Sequence, residues 1–133
     1  MLGFSRLRIL VVLTGLVLLA AMNGPARAQS VNIFFDYGIS ELTPSAGKLV
    51  DVAKEMLKTS SRVTISGHTD SAEANADKLS LSRALEVEKA LIALNVPAKV
   101  SFTIIGKAAS EPRIKTGPNV REPQNRRVTI EIK

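Results

Sequence analysis

The sequence has no cysteine, no tryptophan and a single histidine, and aromatic residues make up only 4% of its 133 residues. Without cysteine there can be no disulfide, thiolate metal site, cysteine nucleophile or lipid-modified cysteine. One histidine, His68, cannot by itself build a metal site or a catalytic triad. Hydrophobic residues still make up 45% of the chain, so we expect one domain with a mostly aliphatic core.

The first 28 residues lack any acidic residue and contain three arginines. An almost entirely apolar run covers residues 9–22, and Gly24-Pro25 and Ala26-Arg27-Ala28 follow it. A basic start, an apolar run and a small-x-small end are typical of a secretory signal peptide. We therefore predict a cleaved signal peptide over residues 1–28, one domain over residues 29–133 and no transmembrane span in the mature form. An uncleaved membrane anchor is the alternative, but this run is shorter than the roughly 20 residues that span a bilayer.

Charge gives little support for a nucleic-acid partner. The formal net charge of the chain is +6. Residues 29–133 have 15 Lys+Arg against 12 Asp+Glu, which leaves a net charge of +3. A mildly basic domain of this kind is not predicted to bind nucleic acid by charge alone.

Periodicity predicts an α+β fold over residues 31–133. Apolar residues alternate in four segments, which predict strands: Val31–Asp36, Arg62–Gly67, a strand through Val100, Phe102 and Ile104, and a strand through Val128, Ile130 and Ile132. Two segments have apolar residues at helical spacing: Thr43 to about Lys58, and Leu79 to about Leu94, where Leu81 is assigned to the buried stripe. The simplest packing of the order strand-helix-strand-helix-strand-strand is a two-layer sandwich, with two helices on a four-stranded mixed sheet.

Five short segments, in this order and with this rough spacing, resemble the OmpA-like domain. They are Phe34-Phe35-Asp36, Leu42-Thr43-Pro44, Gly67-His68-Thr69-Asp70, Leu79-Ser80 with Arg83-Ala84, and Asn125-Arg126-Arg127-Val128. The resemblance covers nearly all of residues 31–133. It implies a protein in the periplasm of a Gram-negative-type bacterium, associated with the cell wall or the outer membrane.

The resemblance also implies non-covalent binding of peptidoglycan through the diaminopimelate of its stem peptide. Diaminopimelate ends in an ammonium and a carboxylate on one carbon, so its receptor needs an anion close to a cation. By resemblance, Asp70 binds the ammonium and Arg83 the carboxylate, which the planar guanidinium matches with two parallel hydrogen bonds. Each residue also has a simpler reading: Asp70 could cap a turn, and Arg83 could be a solvated arginine on a helix.

Six further residues are second-rank candidates for the pocket: Asp36, Thr69, Asn75, Leu79, Asn125 and Arg126. Asp36 either contacts the ligand or braces its turn, and Thr69 is expected to orient the Asp70 loop. Asn125 and Arg126 either contact the ligand or tie the sheet to the long segment 106–124, which is functional or mobile by its length.

The chain departs from the family pattern around the pocket. The segment between Asp70 and Leu79 is a couple of residues shorter than usual and lacks the customary glycine, while Ala76 and Ala108 replace an asparagine and a glycine of the family. These departures motivate an alternative to peptidoglycan binding, a periplasmic protein–protein interaction domain that no longer binds peptidoglycan. We expect peptidoglycan as the partner, with a second envelope protein as a further candidate.

No arrangement of residues predicts catalysis, a cofactor or a metal. We see no nucleophile–base pair, no cluster of metal ligands and no suitably spaced pair of carboxylates. The sequence is therefore predicted to encode a binding module and not an enzyme.

Overall fold

The structure, a computed structural model, describes residues 29–133. Six elements follow each other in the predicted order, and a short 3-10 turn, Pro123–Asn125, precedes the last strand. They are β1 (Gln29–Phe34), α1 (Pro44–Met56), β2 (Arg62–Gly67), α2 (Ala76–Ala93), β3 (Ser101–Gly106) and β4 (Arg127–Ile132). The predicted signal peptide, residues 1–28, lies outside the described residues, so its cleavage remains a prediction.

The four strands form one mixed sheet in the order β1-β4-β2-β3. β4 pairs antiparallel with both β1 and β2, so that Ile130 lies between Val31 and Ile65, whereas β2 and β3 are parallel. The crossover from β2 to β3 contains α2, as a parallel pair requires. The predicted α+β sandwich with two helices on a four-stranded mixed sheet is confirmed.

The core is aliphatic, as the composition predicts. One face of the sheet and the inner faces of both helices contribute buried residues, among them Ile33, Val50, Ile65, Val87 and Ile130. The opposite sheet face is polar, and there the Thr129 hydroxyl lies 2.8 Å from Asn32 Oδ1. Neither helix of the described residues has the length and hydropathy that a membrane span needs.

The predicted start of helix α2 and the predicted position of Leu81 were wrong. The helix begins at Ala76, three residues before the predicted start, because Asn75 takes a left-handed φ of 52° and turns the chain directly into the helix. Leu81 is 42% exposed. The buried face of the helix instead contains Ser80, Arg83, Ala84, Val87 and Leu91. These residues recur at helical spacing from Ser80, so the neighbouring Leu81 lies outside this face.

Two glycines explain why this face of α2 meets the sheet. A Cβ atom at Gly67 would lie 1.8 Å from the Ser80 carbonyl oxygen, and one at Gly106 would lie 2.9 Å from the Leu81 amide nitrogen. The backbone of α2 therefore approaches the ends of β2 and β3 at a distance that only glycine permits. Ser80 fixes the contact, since its hydroxyl accepts a hydrogen bond from Ala108 N at 3.0 Å.

Candidate functional site

The predicted site residues converge at one edge of the sheet. β1, β2 and β3 run in the same direction because β4 opposes both β1 and β2, so the chain leaves all three strands at the same edge. Asp36 follows β1, Asp70 follows β2, and Arg126 directly precedes β4. The close approach at Gly67 brings the first turns of α2, and with them Arg83, to this edge.

Asp70 is buried and accepts four hydrogen bonds. Its Oδ1 accepts from Ala72 N and Glu73 N, at 3.0 and 2.9 Å, and so caps a tight turn. Its Oδ2 accepts from Glu122 N and from Arg126 Nη1, both at 3.2 Å. The carboxylate thus joins three segments of chain and forms an ion pair with Arg126.

Arg83 is fully buried, so it is not the solvated arginine of the simpler sequence reading. Its Nε, Nη1 and Nη2 donate to the carbonyl oxygens of Ile39, His68 and Asp36, at 2.9, 3.0 and 3.1 Å. Its Nη1 also donates to Glu73 Oε1 at 2.8 Å, and its Nη2 to Glu73 Oε2. All five guanidinium N–H groups therefore have partners within the chain, and the Phe35 ring lies 5.3 Å from the guanidinium carbon.

Glu73, which the sequence did not single out, completes this arrangement. Besides binding Arg83, its carboxylate accepts from Gly38 N at 2.8 Å and from Asp70 N at 3.0 Å. Asp70 and Arg83 are thus linked through Glu73 and have no direct ion pair with each other. The only available signal was that Glu73 is the one acidic residue of the loop formed by residues 71–75, the segment that departs from the family pattern.

An open cleft of about 570 Å³ lies beside these buried pairs. Its lining includes two of the predicted residues, Asp36 and Arg126, together with Phe34, Thr43, Arg113 and Gln124. Asp36 is exposed, whereas 12% of the Arg126 side chain is exposed and its Nε donates to Phe35 O at 3.0 Å. The cleft therefore has the volume of a small-molecule site, with one carboxylate and two guanidinium groups on its walls.

The remaining predicted residues shape the surroundings of this cleft. Asn125 is buried, and its side-chain amide forms two hydrogen bonds of 2.8 Å with the backbone of Ile114. Thr69 is buried and its amide donates to Ala108 O at 2.9 Å. Asn75 is exposed at the start of α2, where its carbonyl accepts from the partly buried Leu79. The roles of these four residues in ligand binding remain predictions.

The long loop, residues 107–122, forms one rim of the site. Its residues 111–120 are all exposed, yet its backbone is anchored at several points. Ser71 Oγ donates to Gly117 O at 2.8 Å and accepts from Val120 N at 3.0 Å, and Arg113 lies over the Phe34 ring. The loop is therefore fastened both to the 71–75 loop and to β1, with Arg113 directed at the cleft.

His68 is buried and directly follows β2, two residues before Asp70. Burial, and then the positive charges of Arg127 and Lys107, lower the pKa of His68 to about 4. Its Nδ1 has no hydrogen-bond partner among residues 29–133. The described residues also contain no group of three acidic or histidine side chains that could hold a metal ion.

Comparison with known proteins agrees with these observations. The OmpA family matches residues 34–126. An outer membrane protein of Gluconacetobacter diazotrophicus is 35% identical over 116 residues, covering 80% of this chain but 30% of its own length. A peptidoglycan-associated lipoprotein of Pseudomonas aeruginosa is 33% identical over 116 residues, covering 83% of this chain and 67% of its own.

The fold has close relatives among solved structures. The peptidoglycan-associated lipoprotein from Burkholderia pseudomallei superposes with a TM-score of 0.68 at 20% identity, over 77% of this chain and 90% of that one. At this identity the superposition establishes the fold. The family match spans more than half of the chain and includes the segments that meet at the cleft, and on this evidence the chain belongs to the OmpA family.

Proposed function

We propose that residues 29–133 bind peptidoglycan non-covalently in the bacterial envelope, on the periplasmic side. The observation that carries this proposal is the convergence of the family's segments on one cleft, with Asp36 and Arg126 on its walls. A relative that is 33% identical is named a peptidoglycan-associated lipoprotein, which supports the same ligand. Nothing in the site suggests a reaction, so we propose a binding protein and not an enzyme.

The charges of the cleft suit the stem peptide of peptidoglycan. Arg113 and Arg126 provide two guanidinium groups and Asp36 one exposed carboxylate, which matches a ligand with both carboxylates and an ammonium. Guanidinium groups bind carboxylates with two parallel hydrogen bonds, and such charge-assisted bonds are stronger than neutral ones. The cleft thus favours a zwitterionic peptide over a neutral sugar.

The finer proposal is that the ligand is the diaminopimelate of the stem peptide, with Asp70 near its ammonium and Arg83 on its carboxylate. In the described conformation Asp70 binds Arg126, and Arg83 binds Glu73. This mode of binding therefore requires Glu73 to leave Arg83 when the ligand enters.

Co-sedimentation with purified sacculi tests the proposal. Protein isolated from cells that express the full chain is mixed with sacculi, and the bound fraction is measured beside Asp36→Asn and Asp51→Asn. Both aspartates are exposed, but only Asp36 lines the cleft, so we expect Asp36→Asn to reduce binding several-fold and Asp51→Asn to bind like wild type. A folded wild-type protein that stays in the supernatant would contradict peptidoglycan binding.

A second function is favoured by one observation. Glu73 accepts hydrogen bonds from the two Arg83 N–H groups that the three backbone carbonyls do not bind. This arrangement is expected if the ligand site at Arg83 had closed and the domain now bound another envelope protein. In that case wild type, Asp36→Asn and Asp51→Asn would all stay in the supernatant. The protein would instead co-purify with an envelope protein after crosslinking in cells.

A further inference from the structure

Arg83 forms the base of a carboxylate-binding site. Three backbone carbonyls hold the guanidinium in a fixed orientation, and one N–H on each of Nη1 and Nη2 remains directed to the same side. The backbone amides of Gly38 and Asp70 point to the same place. Four converging N–H donors around a buried guanidinium match the two oxygens of one carboxylate.

The carboxylate that occupies this site belongs to Glu73, a loop residue. Glu73 lies in the 71–75 loop, whose neighbouring residues Ala74 and Asn75 are exposed. Its carboxylate accepts from all four donors, while its side chain is itself fully buried. The loop is held from outside by Tyr37, whose hydroxyl donates to Ala72 O at 2.9 Å.

We infer that Glu73 is an intramolecular ligand, which closes a carboxylate-binding site formed by Arg83 and the amides of Gly38 and Asp70. This inference rests on the proposed function where it concerns peptidoglycan: a carboxylate of the stem peptide binds to Arg83 only by displacing Glu73. The apparent affinity of the domain is then lowered by the fraction of molecules in which Glu73 occupies the site. Glu73 therefore sets how tightly the domain holds its ligand.

Because Glu73 and Arg83 form a buried ion pair, the inference can be tested without peptidoglycan, through the stability of variants at position 73. Glu73→Ala leaves a buried guanidinium without a counter-ion, which is strongly destabilising, and it leaves a space that one acetate ion fits. We expect this variant to melt below wild type, and acetate to raise its melting temperature relative to chloride at equal ionic strength. With acetate at about five times its dissociation constant, the expected rise is about 4 °C or more.

Two further variants serve as controls. Glu73→Gln keeps the volume of the side chain, so the site stays filled and acetate should have no specific effect. In Glu73→Ala/Arg83→Met the receptor is absent and neither partner of the Glu73–Arg83 pair is left as an unpaired buried charge, so this protein should fold and be equally stable in acetate and chloride. If Glu73→Ala fails to fold in chloride, its recovery of structure in acetate, monitored by circular dichroism, provides the same test.

Equal melting of Glu73→Ala in acetate and chloride would overturn the carboxylate site. Co-sedimentation with sacculi tests separately whether the ligand displaces Glu73. If Glu73 closes the site, Glu73→Ala should bind sacculi about tenfold more tightly than wild type. Tighter binding supports the inference, whereas unchanged or weaker binding overturns displacement even if acetate rescues stability. Acetate rescue with no binding of any variant to sacculi would contradict the proposed function and leave the carboxylate site standing.

Discussion

At the scale of single residues, the site is organised by charges that the protein pairs internally. Asp70 binds Arg126, and Glu73 binds Arg83, with three of these four side chains essentially inaccessible to solvent. A buried ion pair stabilises a fold only when its other hydrogen-bonding groups also have partners. Arg83 meets that condition through its three carbonyl acceptors, which explains how a charged side chain can occupy the end of an aliphatic core.

His68 should make the stability of the domain depend on pH. Its pKa is about 4 when folded and about 6.5 when unfolded, so the unfolded state binds more protons as the pH falls from 6.5 towards 4. His68 lowers the free energy of unfolding only below about pH 6.5. At pH 5 this free energy should be about 2 kcal/mol smaller than at pH 7.5 because of His68. Urea denaturation of wild type at pH 7.5 and 5 measures the loss.

The matched variant for this measurement is His68→Gln, which cannot titrate in this range. The carboxylates are common to both proteins, so the difference between their two pH dependences isolates His68. The free energy of unfolding of the variant should fall about 2 kcal/mol less between pH 7.5 and 5. Parallel pH profiles for the two proteins would show that His68 is not kept neutral by the fold.

Glu73 also shows why the site could be predicted only in part. Asp70, Arg83, Asp36 and Arg126 could be identified because they belong to segments with a recognisable pattern. Glu73 lies in a five-residue loop without periodicity, and its partner is determined by the path of that loop. The path depends on the positive φ of Asn75 and on the turn capped by Asp70, which no hydrophobic pattern encodes.

At the scale of elements, the contact between α2 and the sheet depends on Gly67. Gly67→Ala would place a methyl group 1.8 Å from the Ser80 carbonyl oxygen, so the helix would have to move away from β2. We expect a loss of about 3 kcal/mol or more in the free energy of unfolding. Chemical denaturation of the purified variant measures it.

Gly47→Ala is the control for this substitution. Gly47 lies inside α1, and a Cβ atom there would meet nothing within 4 Å. Alanine favours the helix over glycine by about 1 kcal/mol, so this variant should be more stable than wild type. Equal effects of the two substitutions would mean that the approach of α2 does not need a glycine at position 67.

Strand and helix positions were largely predictable because apolar residues alternate in the strands and recur at helical spacing in the helices. β2 was predicted at Arg62–Gly67 and lies there, and α1 begins at Pro44, where Thr43 caps it as expected. The start of α2 was missed because its first turn, Ala76-Asp77-Lys78, is short of apolar residues. Ala108 is a related case: it has a φ of 49°, a conformation that favours the glycine of the family.

At the scale of the whole molecule, arginines lie at both ends of the sheet. Arg113 and Arg126 line the cleft at the end where β2 and β3 finish, whereas Arg62 is exposed at the start of β2, the opposite end. If the cleft binds the wall, only charges at its own end should matter at short range, because salt screens the distant ones.

We therefore expect Arg113→Gln to weaken binding to sacculi about fivefold and Arg62→Gln to leave it unchanged. Both variants remove one exposed arginine, so they have the same net charge. Co-sedimentation at low and high salt measures the binding of both variants to sacculi. The difference in affinity between Arg113→Gln and Arg62→Gln should shrink at high salt. An equal loss of binding in both would indicate non-specific attraction to the wall and would argue against the cleft.

The position of β4 has a consequence for how the chain acquires its fold. β4 is the last described strand along the chain but lies inside the sheet, between β1 and β2, and Gln29 pairs with Ile132 across nearly the full described length. β1 therefore has no neighbour until residues 127–132 have been synthesised. Pairing between residues so far apart in the sequence forms more slowly than local contacts, so the nascent chain keeps β1 unpaired throughout elongation.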